Sequence, residues 1–170
     1  MDGRSAFAGL TALALAPAFA SSLQAQRRPV PVLVAPPLTA LALNDLSFGT
    51  VLPGIPVAVS ASDPRRSGQF EVRGPAAASI RIDFMVPAAL VSGGGAHLPV
   101  AFGPGDGLAD FSHDTPPRSV VFDPHLPLIA TIGPNGMFFL RLGGTVTPSP
   151  IQSGGAYGAT IAITVYNLGS

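Results

Sequence analysis

Short runs of alternating apolar and polar residues, separated by glycine and proline, fill the chain from Leu38 onward. In the longest run, from Tyr157 to Val165, the odd positions are Tyr, Ala, Ile, Ile and Val, and the even positions between them are Gly, Thr, Ala and Thr. Alternation with this content of β-branched and aromatic residues is typical of a half-buried strand. We therefore predict one central strand here, with the Tyr157 face buried and Tyr166 on the opposite face.

Other alternating runs are shorter, and the clearest is Ile80–Phe84, where apolar residues alternate with Arg81 and Asp83. About nine or ten such strand candidates follow residue 37, with turn signals about every ten residues and no amphipathic helix among them. This pattern predicts an all-β fold, an immunoglobulin-like or pilin-like antiparallel β-sandwich of about 9–10 strands, preceded by a signal peptide helix.

Two dipeptides that contain glycine, Asn135-Gly136 and Gly143-Gly144, predict how the late strands connect. Asn135-Gly136 stands just before the apolar run Met137–Leu142 and is a tight-hairpin signal, so this run is expected to pair with residues near 126–132. Gly143-Gly144 predicts a β-bulge within a strand that continues to Thr147.

The first twenty residues have the pattern of a secretory signal peptide. Arg4 gives a positive start, Ala6–Ala16 is an apolar run, and Ala18-Phe19-Ala20 is a small-x-small cleavage pattern. The apolar run is too short to span a bilayer. We expect cleavage after Ala20 and export to the periplasm, the cell surface or the medium, with no membrane span in the mature chain.

Residues 21–37 form a proline-rich leader that precedes a single sandwich domain over 38–170. The prolines forbid a helix, while Val30, Val32 and Val34 alternate. Two interpretations stay open: a linker without fixed structure, or an extended arm that pairs with the sheet edge of a neighbouring subunit.

Charge and cysteine content exclude several classes of function. The formal net charge is zero, which favours neither nucleic acid nor an anionic membrane as a partner. Charged residues make up 11% of the chain, against about 25% in typical domains, and such a surface resists self-association poorly. The absence of cysteine excludes thiol catalysis, Cys-ligated zinc and iron–sulfur clusters.

Several stretches together resemble a known family. They are Leu46-Ser-Phe-Gly49, Gly68–Gly74, Phe139–Val146, Gln152–Gly158 and Ile161–Asn167. On these stretches the chain resembles the secreted bacterial β-sandwich family known as domain of unknown function 4402, over roughly residues 44–167 and most specifically in the last thirty. The resemblance implies an exported immunoglobulin-like or pilin-like sandwich with no established activity, and it brings no functional residues with it.

No motif of a serine hydrolase, zinc protease, dinucleotide fold or P-loop occurs in the chain. Gly103–Gly107 lacks the lysine and the strand-to-helix context of a phosphate loop. The cluster Asp106, Asp110, His113 and Asp114 has calcium-ligand chemistry, but it lacks the alternate acids and the glutamate of an EF-hand loop. We interpret it as a polar surface loop.

Three histidines are the remaining candidates for chemistry. His113 and His97, with Asp123-Pro-His125, offer a metal or acid–base site, and solvated loop residues are the plainer interpretation. The pairs Arg27-Arg28 and Arg65-Arg66 are too few for a nucleic-acid footprint. The sequence therefore assigns no catalytic, cofactor-binding or metal-ligating residue, and no cofactor.

These observations support two hypotheses for the function. The first is a non-enzymatic surface or fimbria-like structural or adhesive subunit that assembles with copies of itself or with envelope proteins by strand pairing, with Val30–Leu43 as the candidate donor. The second is a periplasmic or extracellular binding module that uses the loops in residues 85–118.

Overall fold

The computed structural model describes residues 37–111 and 118–169, and within these ranges the chain forms thirteen β-strands and no helix. The predicted all-β fold is therefore confirmed, while the predicted signal peptide lies outside the described residues. The strands are β1 (Thr39–Asn44), β2 (Val57–Val59), β3 (Gly68–Arg73), β4 (Ser79–Met85), β5 (Ala89–Ser92), β6 (His97–Ala101), β7 (Gly107–Phe111), β8 (Arg118–Phe122), β9 (Leu128–Thr131), β10 (Met137–Leu142), β11 (Gly144–Val146), β12 (Tyr157–Gly158) and β13 (Ala162–Gly169). None of the described residues belongs to a helix that could cross a membrane.

All strand pairs are antiparallel and they form three sheets. Sheet 1 has the order β1-β3-β10-β7-β8, sheet 2 has β13-β4-β9, and sheet 3 has β12-β5-β6-β11-β2. Alternate residues of β3, β7 and β10 pack against alternate residues of β4 and β9, so sheets 1 and 2 enclose the larger core. The arrangement is consistent with the predicted β-sandwich.

The larger core is fully buried at its centre. Val72, Ile80, Ile82 and Leu140 have no exposed surface, and Phe138 has 1%. Full burial of such a side chain is worth about 1.5–3 kcal/mol, so this layer is the main source of stability. In the sequence, β3 and β4 alternate cleanly and β10 is an apolar run, and all three strands contribute to this core.

A smaller core covers the inner face of sheet 3. Val59, Leu98, Val100 and Val146 form its sheet side, and Phe48 covers them from a segment that belongs to no strand. Hydrophobic packing thus holds an irregular segment against sheet 3. A cleft opens beside this segment.

The predicted strand over Tyr157–Val165 is interrupted. Gly158 lies opposite Val91 and Ala162 lies opposite Met85, so the five residues 86–90 face the three residues 159–161. Pro87 lies in the longer side, and proline has no N–H to donate to the ladder. The ribbon bends there, and such bends explain why thirteen strands form where about nine to ten were predicted.

The position of the last strand also differs from the prediction. β13 pairs with β4 alone and is an edge strand of sheet 2, not a central one. Its inward side chains, Ile163 and Val165, are half-buried in the larger core, and Tyr157 is half-buried in the smaller core. The Tyr157 face therefore points inward as predicted, and Tyr166 is 49% exposed beside Arg81.

The predicted hairpin at Asn135-Gly136 is wrong. The turn itself forms, with Gly136 N–H donating to the Gly133 carbonyl at 2.9 Å. However, β9 before it pairs with β4 in sheet 2, and β10 after it pairs with β3 and β7 in sheet 1. A turn signal predicts only that the chain changes direction. Here the strands on either side of the turn pack into opposite sheets of the larger core.

Gly143 does not form a bulge within one strand. It separates β10 in sheet 1 from β11 in sheet 3, and its N–H donates to the Asp106 carbonyl at 2.7 Å. A Cβ atom at Gly143 would overlap the carbonyl oxygen of Val59. The chain changes sheet at this residue because only glycine permits so close an approach.

Candidate functional site

A cleft of about 990 Å³ opens beside the smaller core. Its floor is apolar and includes Leu90, Leu98 and Val100. One wall is the segment Asp45–Val51, and the other is Ser153–Ile161. The volume lies at the upper end of the range of about 300–1,000 Å³ for ligand pockets in proteins.

The side chain of Arg66 fixes the first wall. Its Nη2 atom donates to the Phe48 carbonyl at 2.6 Å and its Nε atom donates to the Ser47 carbonyl at 3.2 Å. The Ser47 N–H in turn donates to the Arg66 carbonyl at 2.9 Å. Three hydrogen bonds between Arg66 and this segment thus hold it in place, although the segment belongs to no strand ladder.

Arg66 is itself positioned by a turn at Asp63. The Asp63 carboxylate accepts hydrogen bonds from the backbone N–H of Arg65 at 2.9 Å and of Arg66 at 3.1 Å. The hydrogen bond from the Arg65 N–H is the main cause that lowers the pKa of Asp63 below its ordinary value of 3.8. The charge on Asp63 therefore supports the turn that presents Arg66.

Gln152 and Tyr157 fix the second wall. Gln152 Nε2 donates to the His97 carbonyl at 3.1 Å and to Tyr157 Oη at 2.8 Å. Tyr157 Oη donates to the Ser153 carbonyl at 2.7 Å. Both walls of the cleft are thus held by side chains that bind backbone carbonyls, so the cleft is preorganised.

The second wall consists largely of small residues. It contains Gly154, Gly155, Ala156, Gly158 and Ala159, and a Cβ atom at Gly154 or Gly158 would meet nothing within 4 Å. With so few side chains, its backbone is open to approach by another chain.

Asp45 is the only aspartate, glutamate, lysine or arginine among the described residues that line the cleft. It is exposed, and within 37–111 and 118–169 its carboxylate makes no hydrogen bond or ion pair. The cleft therefore combines an apolar floor with one negative charge at its rim.

The structure does not bring the described histidines together. His97 is exposed at the start of β6, and His125 Nε2 lies 2.9 Å from the Phe102 carbonyl, just beyond the end of β6. Five residues of extended strand separate these two points, about 16 Å. His113 lies outside the described residues, and no group of three or more potential metal ligands forms among those that are described.

The acidic cluster is also divided. Asp106 accepts the Gly103 N–H at 2.7 Å in the turn between β6 and β7, whereas Asp110 is half-buried within β7 of sheet 1. The prediction that this cluster forms a polar surface loop is thus wrong for Asp110, because Gly107–Phe111 is a strand in which Gly107, Ala109 and Phe111 are buried. Asp114 lies outside the described residues.

Sequence reasoning missed the residues that build the cleft. The sequence marked Arg66 only as half of a basic pair and Gln152 only as the start of a stretch that resembles a known family, and it gave no sign of Asp45. The turn signal Asp63-Pro64 just before Arg66 was visible, but the carbonyls that Arg66 binds lie 18 and 19 positions earlier in the chain. Such a contact has no local pattern.

Comparisons of the chain with protein-family models, with curated proteins and with solved structures find no match. The resemblance to the family of domain of unknown function 4402 therefore stays a prediction. The function must be argued from the geometry of the chain itself.

Proposed function

We propose that this chain is an exported, non-enzymatic β-sandwich subunit of a cell surface that assembles with its own copies or with envelope proteins by strand pairing. The observation that carries the proposal is the difference between the edge strands. β1 and β13, six and eight residues long, contain no charged residue and no proline. Natural edge strands are commonly protected by charge, proline or shortness, because an open edge is a template for another strand.

The other four edges carry such protection. β12 has two residues, β2 has three and follows Pro56, and β9 has four and follows Pro127. β8 begins with Arg118 and is followed by Asp123-Pro124. Among the edge strands of the described residues, β1 and β13 are therefore the two that are long and lack both charge and proline.

The two unprotected strands also expose apolar side chains. Leu41 and Leu43 of β1 are 43% and 52% exposed, and Leu168 of β13 is 53% exposed. β1 also approaches β13, so the open edges of sheets 1 and 2 lie side by side. Together they offer a partner both backbone hydrogen bonds and apolar contacts.

β1 changes the role expected for the donor arm Val30–Leu43. From Thr39 onward the arm pairs with β3 of its own chain, with Thr39 opposite Arg73 and Ala42 opposite Phe70. Residues 30–36 of the arm lie outside the described residues. The proposal therefore assigns strand pairing to the free edge of β1, and not to insertion of β1 itself into a neighbour.

Lysine substitutions on the two edges test this proposal. Leu41→Lys lies opposite Glu71, which pairs with Arg73, and Thr164→Lys lies opposite Asp83, which pairs with Arg81. Both substituted positions are exposed, so the fold tolerates the new charges. We expect the double variant to lower the association constant of the purified protein at least about tenfold, because charged edges resist strand addition. Light scattering over a concentration series measures this change.

The controls place charges on the protected edges of the same sheets. Val121→Lys lies on β8 of sheet 1, and Ile129→Glu lies on β9 of sheet 2 opposite Arg81. Both positions are exposed, at 59% and 57%. Assembly should survive in these variants. A protein that is a monodisperse monomer at every concentration contradicts the proposal, as does equal loss of assembly in the controls.

A second candidate function, a binding module, is favoured by the cleft. Five of its lining residues come from the 85–118 range named above, namely Pro87, Leu90, Leu98, Val100 and Phe102. The prediction named the loops of this range, whereas Leu90, Leu98 and Val100 lie in strands β5 and β6, and Pro87 and Phe102 flank these strands.

A further inference from the structure

The cleft has the features of a site for an extended peptide. Both walls contain backbone segments that take part in no strand ladder. Asp45–Val51 belongs to no strand, and Ala159–Ile161 lies between β12 and β13 without a strand partner. An extended peptide carries N–H and C=O groups on both sides of its backbone and suits such walls.

The floor and the rim specify the side chains of the occupant. Leu98, Val100 and Phe102 form an apolar floor, each with less than 10% of its surface exposed. Side chains of an extended peptide alternate between two faces, so every second residue of the occupant would meet this floor. Asp45 at the rim favours a positive charge in its partner.

The anchoring of the walls distinguishes this cleft from a surface gap. Arg66 holds the Ser47 and Phe48 carbonyls of one wall, and the Gln152–Tyr157 pair holds the other. Because hydrogen bonds within the chain hold both walls, binding costs little ordering of the protein.

We propose that the cleft binds an extended peptide segment in which alternate residues are apolar and which carries a basic residue beside Asp45. This inference rests on the second candidate function, the binding module, and is independent of the edges of β1 and β13. The peptide backbone pairs with the open walls, its apolar face covers the floor, and its basic side chain pairs with the Asp45 carboxylate.

The test uses two synthetic peptides and the purified full chain. The first probe is acetyl-Arg-Thr-Val-Thr-Val-Thr-Val-amide, and the second has Glu in place of Arg. Isothermal titration calorimetry should show binding of the Arg probe and at least about tenfold weaker binding of the Glu probe, since a like charge beside Asp45 is unfavourable.

Two pairs of variants assign the binding to the cleft. Asp45→Asn should reduce the preference for the Arg probe to within about twofold, while Asp83→Asn, away from the cleft, should leave it unchanged. Gly158→Val should weaken the Arg probe at least about tenfold by narrowing the cleft. Gly93→Val is its control, because a Cβ atom at either glycine meets nothing within 4 Å and only Gly158 lines the cleft.

The outcomes separate this inference from the binding-module proposal. Equal binding of the two probes, with a loss in Gly158→Val, overturns the assigned charge preference and leaves a binding cleft in place. Displacement of the probe by equimolar octylamine overturns the peptide in favour of a small amine. Absence of binding at about 1 mM of the Arg probe overturns both this inference and the binding module.

Discussion

At the scale of single residues, Gly143 controls how the chain passes between sheets. Its Cβ position is occupied by backbone atoms of Val59 and Ala61, which cannot rotate away as a side chain would. Its N–H is also bound by the Asp106 carbonyl. One hydrogen atom in place of a methyl group therefore permits three segments of the chain to meet.

We expect Gly143→Ala to destabilise the protein by about 2–4 kcal/mol, because overpacking against backbone is relieved only by moving β2 or β11. Urea denaturation at neutral pH measures the change. Gly105→Ala is the matched control, since a Cβ atom there meets nothing within 4 Å and its expected effect is within about 0.5 kcal/mol. Equal effects of the two substitutions would show that contact at Gly143 is not the cause.

At the scale of elements, alternation and turn signals had different predictive value. β3 and β4 could be identified from the sequence because their apolar residues repeat every two positions, and β10 could be identified because it is an apolar run after a turn signal. β7 could not be identified from the sequence, because its glycine and aspartate are typical of a loop. In the structure its buried face consists of Gly107, Ala109 and Phe111. Ala109 also lies opposite Leu140 of β10, which is remote in the chain.

The candidate site was less predictable than the strands. Each wall of the cleft is held by hydrogen bonds from a side chain to carbonyl groups, and several of these bonds join distant positions, such as Gln152 to His97. No period or local propensity encodes a contact of this kind. The polar residues with conspicuous spacing in the sequence, such as Asp106 and Asp110, instead occupy a turn and a strand.

The turn at Asp63 predicts an acid-sensitive component of stability. Its pKa is lower in the folded protein than the ordinary 3.8, so the ionised form favours folding. This contribution is fully present above about pH 4 and is lost as the pH falls through the depressed folded value. Asp63→Asn should therefore be less stable than the unmodified protein near pH 6, and the difference should shrink as the pH is lowered toward 2.

Urea midpoints at the two pH values test this expectation. Asp45→Asn is the control for loss of one carboxylate, because the Asp45 carboxylate makes no hydrogen bond within the described residues. A constant difference between Asp63→Asn and the unmodified protein at both pH values would contradict the role of the charge.

At the scale of the described sandwich, Ile161 joins the two cores. It packs against both the larger and the smaller hydrophobic cluster, whereas its neighbour on the same face, Ile163, packs against the larger cluster alone. The bend between β12 and β13 thus places one side chain where the sheets change.

Replacement of these two residues should have different spatial effects. Ile161→Ala and Ile163→Ala should each cost about 1–3 kcal/mol, less than a fully buried isoleucine. Hydrogen exchange should show lower protection in both β4 and β6 for Ile161→Ala, and mainly in β4 for Ile163→Ala. Identical exchange patterns in the two variants would show that Ile161 does not couple the cores.

The neighbouring positions of β1 and β13 have a consequence for the number of copies in an assembly. If two copies meet about a twofold axis, each uses both edges on the same side, and growth ends at a dimer. An unlimited filament requires a head-to-tail contact, in which β1 of one copy meets β13 of the next. A count of subunits by mass therefore distinguishes a closed pair from a polymer.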